Sequence, residues 1–129
     1  MPSEAVPIFT FLAENVLEPV REQFGEAITI TSGYRDPDAN AAAHGVAHSE
    51  HMASANWCAA DFVVANVAMR AVFDWIRGNV LPYHEVILEH GDNCDIVHIS
   101  VNKEAKGRVA KEGATANRTP YITWPVSNG

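Results

Sequence analysis

Residues 85–101 read EVILEHGDNCDIVHISV. Within this stretch, the runs 85–89 and 96–101 are short, apolar and rich in β-branched side chains, which is typical of strands. The six residues 90–95 that join them are mostly polar. Two such runs with a short polar connection predict an antiparallel β-hairpin.

Two helices are predicted on the N-terminal side of this hairpin. The first covers residues 4–24, where apolar side chains recur every three or four positions and Gly25 supplies the stop. The second begins at an Asn66 cap and ends at Gly78. Its apolar face is predicted to consist of Val67, Ala71, Trp75 and Ile76.

Further short elements are predicted between these helices. Residues 27–31 are β-branched and predict a strand that ends in the Ser32-Gly33 turn. Asp36-Pro37 supplies a cap and a first-turn proline, which predicts a short helix through Ala43. Residues 58–64 predict a buried strand.

Length and composition favour one domain over residues 1–129, with a mostly irregular tail from about residue 105. The chain is 47% hydrophobic and can therefore bury a core. Helices grouped with a few antiparallel strands predict an α+β fold, with the helices packed on a small antiparallel sheet. The net charge of -7 argues against a nucleic-acid partner. No apolar run approaches the length of a membrane span, and no secretory signal is visible.

The six histidines are the unusual feature of the composition, and several of them cluster in residues 44–51. Asp61 lies inside an apolar run, where a carboxylate is costly unless it is paired or binds a metal. His98 lies in the second hairpin strand. Two histidines and one carboxylate make a zinc set that leaves a fourth position for water. Solvated loop histidines, a core histidine at 98 and a strand-end carboxylate at 61 remain the alternative.

Two acids could act as a general base near such a site. If Glu89 pairs near Ile96, the two-residue period of a strand puts Glu89 on the same face as His98. Asp95 would point to the opposite face unless a bulge re-aims it. Arg35 follows a tight turn and could hold a substrate carboxylate with two hydrogen bonds. Each of these three is equally interpretable as an ordinary surface charge.

The motifs taken in order resemble those of a known family. They are Ile30-Thr31-Ser32-Gly33-Tyr34-Arg35, Asn40, Gly45, Ser49-Glu50-His51, Ala59-Ala60-Asp61-Phe62 and Val97-His98-Ile99-Ser100. Together they resemble the zinc D-alanyl-D-alanine carboxypeptidase and L-alanyl-D-glutamate endopeptidase family, which cleaves peptidoglycan and shares its core fold with the Hedgehog signalling domain. The resemblance covers roughly residues 8–104.

The resemblance implies a single zinc ion held by His51, Asp61 and His98. It further implies that Arg35 holds the substrate or its transition state and that Ser49 lies beside the first ligand. The function expected from it is hydrolysis of an amide bond in the peptide stem of bacterial peptidoglycan. The small chain further suggests a phage or prophage protein, acting at the cell wall after release or within a virion beside other virion proteins.

The family's general base maps to Glu89, although related branches place it at the position of Asp95. The chain also departs from the family pattern, because His51 and Asp61 are ten residues apart where seven are usual. The extra residues fall within 53–58, and they could loop out harmlessly or let Trp57 block the cleft.

This departure motivates a second hypothesis, a binding or structural module of the same fold with little or no catalysis. A zinc hydrolase acting on a substrate outside the cell wall is a third. Cys58 and Cys94 flank the implied site, so they are expected either to form a disulfide or to remain two buried free thiols.

Overall fold

The N-terminal helical segment forms as the apolar spacing predicts. The computed structural model describes residues 2–34, 50–114 and 121–127. After a 3-10 turn at Ser3–Ala5, helix α1 (Val6–Leu12) passes through a π-helical stretch (Ala13–Leu17) into α2 (Glu18–Phe24). The wider π turns come just before Pro19, which lacks the N–H that would continue the α pattern. Gly25 ends the segment in the left-handed conformation, with φ 66°.

Six strands form one sheet with the order β1-β2-β4-β3-β5-β6. The strands are β1 (Ile28–Ser32), β2 (Trp57–Val64), β3 (Glu85–His90), β4 (Asp95–Asn102), β5 (Val109–Ala114) and β6 (Ile122–Trp124). All neighbours are antiparallel except β3 and β5, which are parallel. The predicted α+β class is therefore confirmed, although the sheet is mixed and not purely antiparallel.

The prediction of a mostly irregular tail is wrong for β5 and β6. Strand β5 reads VAKEGA, which contains a glycine and two charges and has little strand propensity of its own. It forms because β3 offers a free edge, along which Glu85 to His90 pair with Val109 to Ala114. Strand β6 then pairs with β5. Backbone pairing with an existing sheet therefore overrides the weak local pattern.

Helix α3 (Met69–Arg77) ends before Gly78 as predicted, but its start and its buried face differ from the prediction. Its N-cap is Ala68, and Asn66 instead adopts a positive φ of 59° in the preceding turn. The fully buried residues of the helix are Met69, Val72, Phe73 and Ile76, of which only Ile76 was predicted. The predicted Val67 and Trp75 are partly buried against the core, and the predicted Ala71 is exposed.

The hydrophobic core lies between the helices and one face of the sheet. Because side chains alternate along a strand, this face carries one set of residues from each central strand. The set consists of Ala60, Phe62, Val64, Val86, Leu88, Val97, Ile99 and Val101. The intervening residues, among them Asp61 and His98, are on the opposite face. The described helices therefore pack on one face of the sheet, and the candidate ligands Asp61 and His98 are on the other face.

The two cysteines are not bonded to each other. Cys58 is buried and Cys94 is exposed. Cys58 pairs with Val101 on β4, whereas Cys94 precedes the first residue of that strand. At about 3.3 Å per residue the two lie roughly 20 Å apart along the sheet, far beyond the reach of a disulfide.

The predicted short helix over residues 36–43 lies outside the described residues. Among the helices that are described, none is both long and apolar enough to cross a membrane.

Candidate metal centre

The structure brings together three side chains from three separate parts of the chain. His51 lies in the turn that leads into β2, Asp61 lies on β2, and His98 lies on β4. Asp61 and His98 are directly opposite each other in the antiparallel pair of β2 and β4. Partners of this kind project from the same face of a sheet with their Cβ atoms about 5 Å apart. Sheet register therefore places two of the three groups together.

Both imidazoles are directed at one carboxylate oxygen. His51 Nε2 lies 3.1 Å from Asp61 Oδ1, and His98 Nδ1 lies 2.9 Å from the same atom. The two rings meet edge to face with centroids 5.1 Å apart. The exposed fractions of His51, Asp61 and His98 are 3%, 5% and 8%. One ligand atom from each residue lies within 4.8 Å of the others, so the group could hold a metal ion.

The backbone after β1 orients His51. Pairing between β1 and β2 shifts by one residue between Ile30 and Ser32, which places Ser32 opposite Asp61. Such an irregularity bends a strand and redirects the residues that follow it. The carbonyl oxygen of Gly33 then lies 2.6 Å from His51 Nδ1. This contact explains why a Ser-Gly-Tyr turn early in the chain matters to a ligand 18 residues later.

The three side chains are arranged more favourably with a cation between them than without one. A carbonyl oxygen can only accept, so the proton of a neutral His51 is on Nδ1, facing Gly33. The lone pair of Nε2 then faces the carboxylate oxygen of Asp61, and two acceptors at 3.1 Å repel each other. A cation between them removes this repulsion. Two imidazole nitrogens and one carboxylate oxygen are also a set that zinc uses in catalytic sites.

The protonation of the buried groups follows the same geometry. Burial opposes ionisation of Asp61, but its contacts with the imidazole rings of His51 and His98 outweigh burial and hold the pKa of the carboxyl well below its usual range. Burial also disfavours the charged form of His98. The hydrogen bond to Asp61 and the nearby charges of Glu89 and Glu85 nevertheless raise the pKa of His98. The cluster is thus a strongly anionic pocket that favours positive charge.

The two candidate bases are placed differently. Glu89 pairs with Ile96, the register that the sequence analysis anticipated, so its carboxylate is on the same face of the sheet as His98. Asp95 pairs with His90, and its carboxylate oxygen lies 2.9 Å from His90 Nδ1. The structure therefore brings Glu89 toward the cluster and directs Asp95 to a different interaction.

The lengthened segment between His51 and Asp61 does not separate the two ligands. The N–H of Ser54 donates to the carbonyl oxygen of Trp57, and the indole N–H of Trp57 donates to the carbonyl of Met52, at 2.9 and 3.1 Å. These bonds close a compact turn that returns the chain to β2. The extra residues are accommodated as a turn because only the ends of the segment set the ligand geometry.

Two other predicted site residues, Arg35 and Ser49, lie outside the described residues, as do His44 and His48. Of the remaining histidines, His84 lies 2.9 Å from Glu50, and His90 bonds to Asp95 and Glu112. Neither belongs to the candidate metal group of His51, Asp61 and His98.

Several charged residues beside the cluster were not predicted from the sequence. Glu85 Oε1 lies 3.8 Å from His98 Nε2, and Lys111 Nζ lies 2.9 Å from Glu85 Oε2. Glu50 belongs to the same surroundings. The two-residue period of the hairpin could have placed Glu85 on the face of His98. No sequence signal indicated Lys111, because β5 was not predicted.

An α+β domain with a buried His/Asp/His group on the face of its sheet opposite the described helices is typical of a metal-dependent hydrolase. A family model described as Peptidase M15 matches residues 4–100. The chain therefore belongs to the Peptidase M15 family, a zinc-dependent group of peptidases, and His51, Glu89 and His98 all lie within the matched residues. No curated protein and no solved structure matches the chain.

Proposed function

We propose that the chain is a zinc peptidase that hydrolyses an amide bond in the peptide stem of bacterial peptidoglycan, as a D,D-carboxypeptidase or an endopeptidase. The observation that carries the proposal is the convergence of His51, Asp61 and His98 on one buried point. Membership of the Peptidase M15 family supports cleavage of a peptide bond. The resemblance of the sequence motifs to peptidoglycan-cleaving enzymes supports the wall peptide as the substrate.

The two imidazole nitrogens and the Asp61 carboxylate would hold one zinc ion. When bound, zinc polarises a carbonyl group and makes water a better nucleophile at neutral pH. Asp61 supplies the negative charge of the ligand set, and its low pKa keeps that charge in place at neutral pH. Gly33 keeps the Nε2 lone pair of His51 directed into the site.

Glu89 is the group that we assign as the general base. Its carboxylate is on the site face of β3, and its charge is felt at His98. In the proposed reaction, Glu89 accepts a proton as water attacks the amide carbonyl. It then passes the proton to the amine nitrogen as the carbon–nitrogen bond breaks. Arg35 is proposed to hold the substrate carboxylate or the oxyanion, and Ser49 to support the first ligand. Both assignments rest on the sequence resemblance.

Zinc analysis of the purified chain, combined with mass spectrometry of digested peptidoglycan, tests the site and the reaction together. We expect one zinc per chain and the loss of either a terminal D-alanine or a stem-peptide linkage. Asp61→Asn tests the ligand assignment, because it keeps the shape of the side chain but removes its charge, and we expect it to lower the zinc content. Unchanged zinc content in that variant would contradict the ligand assignment.

A binding or structural module predicts a different result from the same experiment. Stoichiometric zinc without cleavage of any muropeptide would favour it over the peptidase. Cleavage of simple peptides without cleavage of peptidoglycan would instead point to a substrate outside the cell wall.

A further inference from the structure

An ion pair between Glu85 and Lys111 lies directly beside the candidate metal group. Lys111 Nζ is 2.9 Å from Glu85 Oε2, and the other oxygen of Glu85 is 3.8 Å from His98 Nε2. Ile87 pairs with both His98 on β4 and Lys111 on β5. Because Glu85 is two residues from Ile87 on the same strand, all these side chains are on one face of the sheet.

The carboxylates near His98 could themselves suggest a second cation site. Glu50, Glu85 and His98 have ligand atoms within 4.8 Å of one another. The protein already supplies donors to both acids, however. Lys111 is bound to Glu85, and Glu50 Oε2 lies 2.9 Å from both His84 Nδ1 and Asn102 Nδ2. A metal ion here would lie next to the Lys111 ammonium, so charge repulsion disfavours this interpretation.

The two ring nitrogens of His98 face different partners. Nδ1 faces Asp61 in the ligand cluster, and Nε2 faces Glu85. A histidine that binds a metal does so through an unprotonated nitrogen, and its other nitrogen carries the proton. A proton on Nε2 is attracted by the Glu85 carboxylate, whereas a lone pair there is repelled. Glu85 therefore favours the form of His98 in which Nδ1 is free to bind a metal.

We propose that Glu85, held in place by Lys111, is a positioning residue that sets the proton of His98 on Nε2 and so presents Nδ1 to the metal. The inference rests on the proposed zinc site and assigns its outer support. Gly33 does the same for His51 through a carbonyl oxygen. His51 then has a carbonyl oxygen behind its ring at hydrogen-bond distance, and His98 has a carboxylate oxygen behind its ring at 3.8 Å, the kind of outer partner that is common at zinc sites.

The proposal gives β5 a role in the site. Lys111 lies beyond residues 4–100, the part of the chain that the family model matches. Strand β5 brings this lysine to the site face because Lys111 pairs with Ile87 of β3. Lys111 is about one-third exposed and Glu85 is one-fifth exposed, so substitutions at either position leave the hydrophobic core intact.

The test compares zinc affinity in Glu85→Ala, Glu85→Gln and Lys111→Ala by competition with a chromophoric chelator. Glu85→Ala is expected to weaken zinc binding by roughly 10–100-fold, the usual effect of losing an outer carboxylate. Glu85→Gln keeps an oxygen that can accept from Nε2–H and should recover part of this loss. Lys111→Ala should weaken binding less than Glu85→Ala. Lys106→Ala is the control, because Lys106 is an exposed lysine that precedes β5, and this substitution should leave the zinc affinity unchanged.

Long-range ¹H–¹⁵N NMR spectra of the zinc-loaded protein show which ring nitrogen of His98 binds zinc. A general loss of stability would not change this assignment. In the wild type, the His98 resonances should show zinc on Nδ1 and a proton on Nε2 that exchanges slowly with water. Exchange of this proton should become faster in Glu85→Ala. Zinc on Nε2 would overturn the proposal, as would equal zinc affinities in the wild type and both Glu85 variants.

The result separates this inference from the function on which it rests. Failure of the wild-type chain to bind zinc would overturn both. Normal zinc binding by the wild type and by Glu85→Ala would overturn only the positioning role. If Glu85→Ala does not fold, Lys111→Ala against Lys106→Ala carries the same comparison, and equal affinities there would contradict the role of the ion pair.

Discussion

His51 Nδ1 lies 2.6 Å from the carbonyl oxygen of Gly33. The contact joins the turn after β1 to the first candidate ligand, and it sets which nitrogen of a neutral His51 carries the proton. A backbone acceptor is well suited to this purpose because its position is set by the sheet and its charge does not change with pH. The orientation of a metal ligand is thus tied to the strand register that also builds the core.

Zinc binding should stabilise the fold measurably. Zinc at a free concentration of 100 times its dissociation constant adds about 2.7 kcal/mol to the free energy of unfolding, because only the folded chain brings the three ligands together. Thermal unfolding with and without zinc measures this gain. His51→Ala should lose most of it, since two ligands remain. An equal gain in wild type and His51→Ala would show that zinc binds elsewhere.

Replacing the proposed base should separate catalysis from metal binding. Glu89→Gln is expected to lower kcat by about 10²–10⁴-fold, the usual contribution of a general base, and to leave one zinc per chain. The matched control is Asp95→Asn, since Asp95 bonds to His90. Hydrolysis of a muropeptide by both variants checks the assignment. A greater loss in Asp95→Asn would transfer the role to Asp95.

The stability of the sheet edge should depend on pH through His90 and Glu112. Hydrogen bonds to Glu112 and Asp95 raise the pKa of His90 above its usual 6.5. The contribution of protonated His90 to the free energy of unfolding is therefore complete below pH 6.5 and is lost as the pH rises through the pKa of the folded state. Burial opposes ionisation of Glu112, but bonds from His90 and Arg70 lower its pKa below the usual 4.5. Its contribution is complete above pH 4.5 and is lost at lower pH.

Both contributions are therefore complete only between about pH 4.5 and 6.5. His90→Asn should destabilise the chain more at pH 5.5 than at pH 9 in urea unfolding. Glu112→Gln should remove the same pH-dependent part, so the double variant should be less destabilised than the sum of the two single variants. An identical effect of His90→Asn at both pH values would contradict the pairing.

The two thiols should differ sharply in reactivity. Burial, together with the charge of Glu50, raises the pKa of Cys58 to about 12, so this thiol is protonated and shielded at neutral pH. Cys94 is exposed. Iodoacetamide at pH 8 should therefore label Cys94 alone in the folded chain and both cysteines after denaturation. Mass spectrometry counts the adducts, and a denatured, unreduced sample without adducts would reveal a disulfide.

Trp124 should contribute to stability although it lies in the short last strand. Its indole N–H donates to Glu112 at 3.0 Å, and the Arg77 guanidinium lies 4.9 Å from the ring centroid. Losing these contacts in Trp124→Ala is expected to cost about 1–3 kcal/mol in urea unfolding. Ile122→Ala in the same strand is the control, because Ile122 is 63% exposed and should change stability by less than about 0.5 kcal/mol. Equal effects would argue against an anchoring role for β6.

Much of the fold could be predicted because its signals are local. The apolar repeat of the first helix, the β-branched run of β1 and the hairpin pattern around residues 90–95 each depend on neighbours within one element. The register of the hairpin also followed from the sequence. It placed Glu89 on the face of His98 through the pairing with Ile96.

Other features of the fold depend on the tertiary contacts that a segment makes. The buried stripe of α3 is the one that fits the sheet, and it shares only Ile76 with the stripe predicted from the sequence. Strand β5 has weak propensity and forms on the free edge of β3. Its pairing partner lies about 24 residues earlier, and no local pattern encodes that distance.

The α+β class could be predicted from the sequence, and the resemblance of its short motifs pointed to the zinc-peptidase family and to His51, Asp61 and His98 as candidate ligands. Residue types and short motifs can be recognised without a structure. The groups that support the ligands, in contrast, became visible only in the folded chain. The Gly33 carbonyl behind His51 and the Glu85–Lys111 pair behind His98 join parts of the chain that are distant in sequence, because strand pairing brings side chains together regardless of their separation.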